Sequence, residues 1–154
     1  MMYTVGEMAK LLGVPASTLR YYDKEGLLPF VERSPGGMRM FQEKDYEWLQ
    51  TIACLKKTGM SLQDIRTYID MSIQGDETIE PRLQLLLHQR EAVRTQIAAL
   101  QKTLDMLNFK CWYYETAKQA GTTETLRNMP LEEIPEQYRA ARTALRQLPV
   151  VDTE

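Results

Sequence analysis

Apolar residues in the first dozen positions fall at helical spacing. Val5, Met8, Ala9 and Leu12 follow Thr4, and Glu7 stands three residues after that threonine. A Thr-x-x-Glu pair of this kind caps a helix N-terminus, and Gly13 suits its end. A second helix is expected to open near Pro15 and run through STLRYYDKEG to Gly26. Two short helices joined by a tight turn are the helix-turn-helix arrangement. The pattern then changes. LLPFVERSPGGMRMF places short extended runs on either side of a Pro-Gly-Gly turn, which reads as a β-hairpin or wing. After Phe41, QEKDYEWLQTIACLKKTG reads as a third helix ended at Gly59. A fourth takes Ser61 as N-cap, with Asp64 three residues on, and carries Leu62, Ile65, Tyr68, Ile69 and Ile73 before Gly75.

The longest regular pattern begins at Pro81. Leu83, Leu86, Arg90, Val93, Ile97, Leu100, Leu104 and Leu107 recur at spacings of three and four, nearly four heptads with Arg90 alone breaking the apolar seam. At about 1.5 Å per residue this helix is roughly 40 Å long. A single helix cannot bury such a seam on itself, so a homodimeric coiled coil is expected. Beyond it, KCWYYETAKQAG continues or caps the long helix, with aromatics available to a partner. Pro135 is expected to open a short amphipathic helix with Tyr138, Ala141, Leu145 and Leu148 on one face. No internal repeat is visible, and the last thirty residues are too few for a third domain. The expected fold is mainly α: a winged helix-turn-helix headpiece with two supporting helices (1–75), a coiled-coil dimerisation helix (76–110) and a partly helical tail (111–154).

Composition narrows the class. The chain has 154 residues, the size of one ordinary domain or a small one with an appendage. No stretch approaches the roughly 18 apolar residues that would span a bilayer. MMYTVGEMAK lacks the basic-then-apolar layout of a signal peptide, so a cytoplasmic location is expected. Two cysteines and one histidine are too few for a disulfide framework or a zinc site, and no metal or other cofactor is expected. No carboxylate pair or Cys-His arrangement marks an enzyme. The formal charge is −2, unevenly spread: residues 1–57 hold eight Lys/Arg against seven Asp/Glu, the remainder eleven against fourteen. A net of +1 is no basic footprint, so any binding to nucleic acid must rest on where the charges sit.

In a helix-turn-helix the start of the second helix enters the major groove, which places Ser17, Thr18, Arg20 and Tyr21 to meet DNA. Arginine can pair with guanine O6 and N7, and hydroxyls reach bases or phosphates. Tyr22 suits a phosphate contact. Arg33 and Arg39 bracket the glycine turn of the wing, and Lys56 and Lys57 add a further phosphate clamp. Such contacts set register and affinity. The competing reading makes RYY a capping arginine with two half-buried aromatics.

These segments resemble a known family. YTVGEMAKLLGVPASTLRYYDKEGLL, then GGMRMF, then LKKTGMSLQDIRTYI and a terminal dimerisation helix are similar to the MerR family of bacterial transcription regulators, over about residues 3–110. The resemblance implies an antiparallel coiled-coil dimer, with Leu83, Leu86, Val93, Ile97, Leu100, Leu104 and Leu107 at its interface. Two winged headpieces would sit on a palindromic promoter operator in double-stranded DNA. Bending and untwisting the promoter spacer would then act on RNA polymerase indirectly through the DNA. Matched positions imply DNA contacts at Arg20, Tyr22 and Arg39, with Tyr21 and Lys57 beside them. The usual wing reads Gly-Tyr-Arg-Arg-Tyr. Here Gly37, Met38, Arg39, Met40 and Phe41 stand, leaving Arg39 as the matched wing contact.

Metal sensors of the family carry cysteines at the start of the dimerisation helix and beyond its end; the residues around Ile79 contain none. Multidrug sensors append a large ligand-binding domain. What remains is Cys54, in IACLKKTGMSL. From the residues alone, Cys54 reads as a packed core thiol. The stretch resembles the aldehyde- and nitrosative-stress-responsive subgroup (NmlR and AdhR types), which implies instead a sensor thiol for aldehydes or other electrophiles, whose alkylation shifts the headpiece relative to the dimer helix. Lys56 and Lys57 would lower its pKa if turned toward the sulfur, while the C-terminal end of a helix acts in the opposite sense. Cys111, beside Trp112 and Tyr113, is expected to pack, and His88 to face solvent. Three rival readings remain: an excisionase-like architectural DNA-binding protein, a coiled-coil protein whose headpiece binds protein, and a regulator holding a small apolar ligand between Trp112, Tyr113, Tyr114 and the partner subunit.

Overall fold

The computed structural model describes residues 1–147; Leu148, expected on the last helix's apolar face, lies outside them. The described residues form two compact units, Met1–Glu91 and a second that begins at Ala92. Its elements are β1 (Met2–Thr4), α1 (Val5–Leu12), α2 (Ala16–Lys24), β2 (Glu32–Arg33), β3 (Arg39–Gln42), α3 (Asp45–Lys57), α4 (Leu62–Gln74), α5 (Ile79–Ala120), α6 (Glu124–Arg127) and α7 (Glu136–Gln147). One-turn 3-10 segments, Asp76–Thr78 and Leu131–Glu133, precede α5 and α7.

In the first unit the helix ends follow their caps. Thr4 accepts from the Glu7 N–H, the Glu7 carboxylate accepts from the Thr4 N–H at 2.7 Å, and Gly13 closes α1 in the left-handed region. Ser61 accepts from the Asp64 N–H at 3.1 Å to start α4. Each such cap is worth about 1 kcal/mol. The core gathers Met8 and Leu19 from α1 and α2, Leu27 and Leu28 after them, Phe41 from β3, Leu49, Ile52 and Leu55 from α3, and Ile65 and Ile69 from α4. Fully burying a side chain of this size contributes roughly 1.5–3 kcal/mol, so α3 and α4 are integral to the headpiece. Ile73, on the same predicted face as Ile69, is exposed.

The extended runs are shorter than the sequence suggests. Leu27 and Leu28 are buried but lie outside any strand, and β2 has only two residues. The wing's sheet gains a strand that sequence reading missed, because β1 pairs antiparallel with β3 (Tyr3 opposite Phe41) and β2 pairs with β3 on its other side (Arg33 opposite Arg39). The Asp45 carboxylate accepts from the Gln42 N–H at 2.7 Å, which joins the end of β3 to the start of α3. At the start of α5, Gln89 donates to the Thr58 carbonyl at 2.7 Å, and Leu85 packs on the core. The buried Thr78 hydroxyl donates to the Gly75 carbonyl at 2.7 Å, and Arg82 donates to the same oxygen at 3.2 Å.

α5 is a single helix of 42 residues, longer than the heptads alone required. Along its seam Leu83, Leu86, Ile97, Leu100, Leu104 and Leu107 are exposed, Leu100 to 69%, and Val93 is half-buried. The second unit has its own small core. Phe109 is buried beneath Trp112, Tyr113 and Tyr138, with Trp112 stacked on Tyr138 at 5.4 Å between centroids. α7 carries Tyr138, Ala141 and Leu145 on one face, as its pattern predicts. Trp112 and Tyr113 therefore pack within their own chain. Cys111, expected to pack beside them, is exposed, because one step along α5 turns its side chain away from the Phe109 cluster.

Candidate nucleic-acid interface

α1 and α2 meet at the tight turn Gly13-Val14-Pro15, with the Thr18 N–H donating to the Pro15 carbonyl at 2.9 Å as α2 begins. Ser17, Arg20 and Tyr21 are exposed along α2, and Thr18 is half-buried. The ring of Tyr22 turns inward. It is only 8% exposed and belongs to the core, where burial, and secondarily Tyr21, pushes its phenol above the ordinary range. The reason is helical geometry: Leu19 and Tyr22, three apart, share the inward face, while Tyr21 turns outward.

The wing turn is closed by the Ser34 N–H donating to the Met38 carbonyl at 2.8 Å and by the Gly37 N–H donating to the Ser34 carbonyl at 2.8 Å. Gly37 has φ +81°, a left-handed conformation that favours glycine. Arg33 and Arg39, opposite each other across the β2–β3 ladder, both reach Asp23 on α2. Arg33 Nη2 donates to Asp23 Oδ2 at 2.9 Å and Arg39 Nε donates to the same oxygen at 2.6 Å; Arg39 Nη2 also pairs with it. Sequence reading missed Asp23, since its partners stand ten and sixteen positions away and no local pattern connects them.

Lys56 and Lys57 leave α3 differently. The Lys56 ammonium lies 5.7 Å from the centroid of the exposed Tyr21 ring, a cation–π contact between α3 and α2. Lys57 is exposed and lines a cavity of about 300 Å³ together with Leu12, Val14, Leu19, Tyr22, Tyr46, Leu49, Gln50, Ala53 and Cys54. Cys54, read from its residues as a core thiol, is exposed. Ile52 and Leu55 take the inward face of α3 on either side of it. Among the described residues no group of three His, Cys, Asp or Glu side chains is placed to hold a metal ion. No helix among them is long and apolar enough to cross a membrane.

A helix-turn-helix with an exposed Arg-Tyr on its second helix, flanked by an arginine-bearing wing, defines a DNA-binding transcription regulator. The chain belongs to the MerR family: residues 3–72 match the MerR HTH family of regulatory proteins, and residues 46–108 match the family described as "MerR, DNA binding". It is 47% identical over 136 residues to an HTH-type transcriptional regulator of Haemophilus influenzae, covering 88% of this chain and 98% of that protein. To the HTH-type transcriptional regulator AdhR of Bacillus subtilis it is 36% identical over 87 residues, 56% of this chain and 62% of AdhR. Among solved structures it is similar to HiNmlR, described as a MerR family regulator lacking the sensor domain, bound to promoter DNA. There the TM-score is 0.66 and the identity 47%, over 84% of this chain and 98% of HiNmlR. A MerR family regulator from Bacillus thuringiensis is 42% identical with TM-score 0.61, over 72% of this chain and 97% of that one. These homologues are transcriptional regulators, not enzymes.

Proposed function

We propose that the protein works in the cytoplasm as a homodimer, joined through the α5 seam as an antiparallel coiled coil, with residues 1–75 binding DNA, 76–110 dimerising and 111–154 forming the tail. Each headpiece takes one half of a palindromic promoter operator. Ser17, Thr18, Arg20 and Tyr21 face the major groove, and the Tyr22 hydroxyl, Arg33, Arg39 and Lys57 meet phosphates. Distortion of the promoter spacer then acts on RNA polymerase through the DNA. Support comes from HiNmlR, whose description places promoter DNA on a chain of closely similar fold.

The signal in this reading is an aldehyde or other electrophile that reacts at Cys54. The observation that carries it is the exposed thiol on the wall of a cavity shared with Tyr22 of α2 and with Lys57. A thiolate adds to the carbonyl carbon of an aldehyde, forming a C–S bond while the carbonyl oxygen takes up a proton; the product is a hemithioacetal. An adduct in that cavity presses on the buried face of α2. A second route leaves along the chain, since the Thr58 N–H donates to the Cys54 carbonyl at 3.3 Å and the Thr58 carbonyl accepts from Gln89 on α5. The alternative, an apolar ligand between Trp112, Tyr113, Tyr114 and a partner, loses support because Trp112 and Tyr113 already pack with Phe109 and Tyr138.

The test is transcription from the regulated promoter with and without formaldehyde, alongside mass spectrometry of Cys54 and Cys111 in the native protein. Cys54→Ala is expected to bind promoter DNA normally and to lose induction, with modification in the wild type falling first on Cys54. Full induction in Cys54→Ala would exclude the thiol as the input.

A further inference from the structure

Asp23 stands on α2, yet its carboxylate is spent on the wing. Both Arg33 and Arg39 converge on one oxygen, Oδ2, and the side chain of Asp23 is only 17% exposed. A negative charge beside two candidate phosphate-binding arginines is unexpected, because it competes with the DNA for them. The geometry resolves this. Arg39 presents its Nε and Nη2 edge to Asp23, and a guanidinium has five N–H donors in a rigid plane. Committing one edge fixes the plane and leaves the Nη1 side as the donor face. Arg39 is also the less exposed of the two, at 25% against 53% for Arg33. Arg33 holds Asp23 by Nη2 alone and reaches the Gly37 carbonyl from Nη1 only at a long 3.4 Å.

We propose that Asp23 is a positioning residue for the wing: it holds Arg39 as a pre-oriented phosphate donor and keeps Arg33 as an exchangeable one that moves to the DNA backbone on binding. The cluster of one carboxylate and two guanidiniums keeps a net charge of +1. Its function is to remove conformational freedom from Arg39 before DNA arrives, so that less rotamer entropy is lost in the complex. Asp23 also ties the wing to α2, so that both elements approach the duplex in one register. The proposal rests on the reading of Arg33 and Arg39 as DNA contacts.

The experiment measures binding of a 40-base-pair mixed-sequence duplex as a function of NaCl for the wild type, Asp23→Asn, Asp23→Glu, Arg39→Ala and the Asp23→Asn/Arg39→Ala pair, with melting temperatures for each. Simple electrostatics predicts that Asp23→Asn, which deletes a negative charge, binds more tightly. Positioning predicts the opposite sign: about 5–10-fold weaker binding near 0.1 M salt, a log–log salt slope shallower by about one, and partial recovery in Asp23→Glu. In the Arg39→Ala background, Asp23→Asn is then expected to add little, because the two act as a unit. Equal or tighter binding by Asp23→Asn would overturn the proposal. So would a loss that tracks a lowered melting temperature, leaves the salt slope unchanged and is not recovered by Asp23→Glu. An unchanged slope in Arg39→Ala itself would remove the wing contacts and this proposal together; a slope that falls in Arg39→Ala but not in Asp23→Asn removes the proposal alone.

Discussion

Tyr22 shows how a single position in a recognition helix can belong to the core. Its neighbours Arg20 and Tyr21 face outward, while its own ring belongs to the buried core with Leu19. Burial favours the neutral phenol and raises its pKa in the folded state, with Tyr21 adding to the effect. The stabilisation of the neutral form is fully present below the ordinary value of about 10 and is lost as pH rises through the folded-state value. We expect the melting temperature of the wild type to fall more steeply above about pH 10 than that of Tyr22→Phe. Identical alkaline slopes in the two proteins would show that the hydroxyl is well solvated. The identity of α2's exposed residues was legible in the sequence. The inward turn of Tyr22 was not, because two adjacent tyrosines within so short a helix fit two helical phases equally well.

Gly26 ends α2 and sets where the chain turns toward the wing. Its φ is +72°, and its N–H donates to the Asp23 carbonyl at 3.0 Å. A Cβ here would meet the Arg66 guanidinium at 3.3 Å, and Arg66 in turn donates to the Glu25 carbonyl. A substitution therefore meets both backbone strain and a crowded arginine. Gly26→Ala is expected to lower unfolding free energy by about 1–2 kcal/mol, read as a reduced urea midpoint with unchanged slope. A midpoint within error of the wild type would mean that another residue adopts this turn freely. That α2 stops at Gly26 could be read from the glycine itself. That Arg66, forty positions later, holds its end could not, since α4 reaches it only through the packed core.

At the scale of the whole molecule, the exposed seam of α5 is the feature that asks for a partner. Ile97, Leu100, Leu104 and Leu107 are each about half exposed or more, which is unusual for a regular apolar stripe on a soluble helix. Replacing Leu100 and Leu104 together with Glu is expected to convert a dimer to a monomer in sedimentation at micromolar concentration, with helical circular dichroism largely kept. A monomeric wild type would sink the coiled-coil reading. Arg90, within the seam, is exposed as well, so a single charge interrupts the apolar stripe.

Periodicity, caps and turn residues are local, and they determined most of what this chain is. The capping box of Thr4 and Glu7, the Ser61 cap, the Pro-Gly-Gly turn and the heptads from Leu83 to Leu107 each act within a few residues of backbone, so the helix-turn-helix, the wing and the long helix could be read directly. Long-range contacts had to be made before the rest existed. Pairing of Met2–Thr4 with Arg39–Gln42 created a strand with no pattern of its own. Packing around α3 put Ile52 and Leu55 inside and left Cys54 exposed on a cavity wall. The same folding carried Asp23 to two arginines across a β-ladder, a charge arrangement that no spacing along the chain encodes.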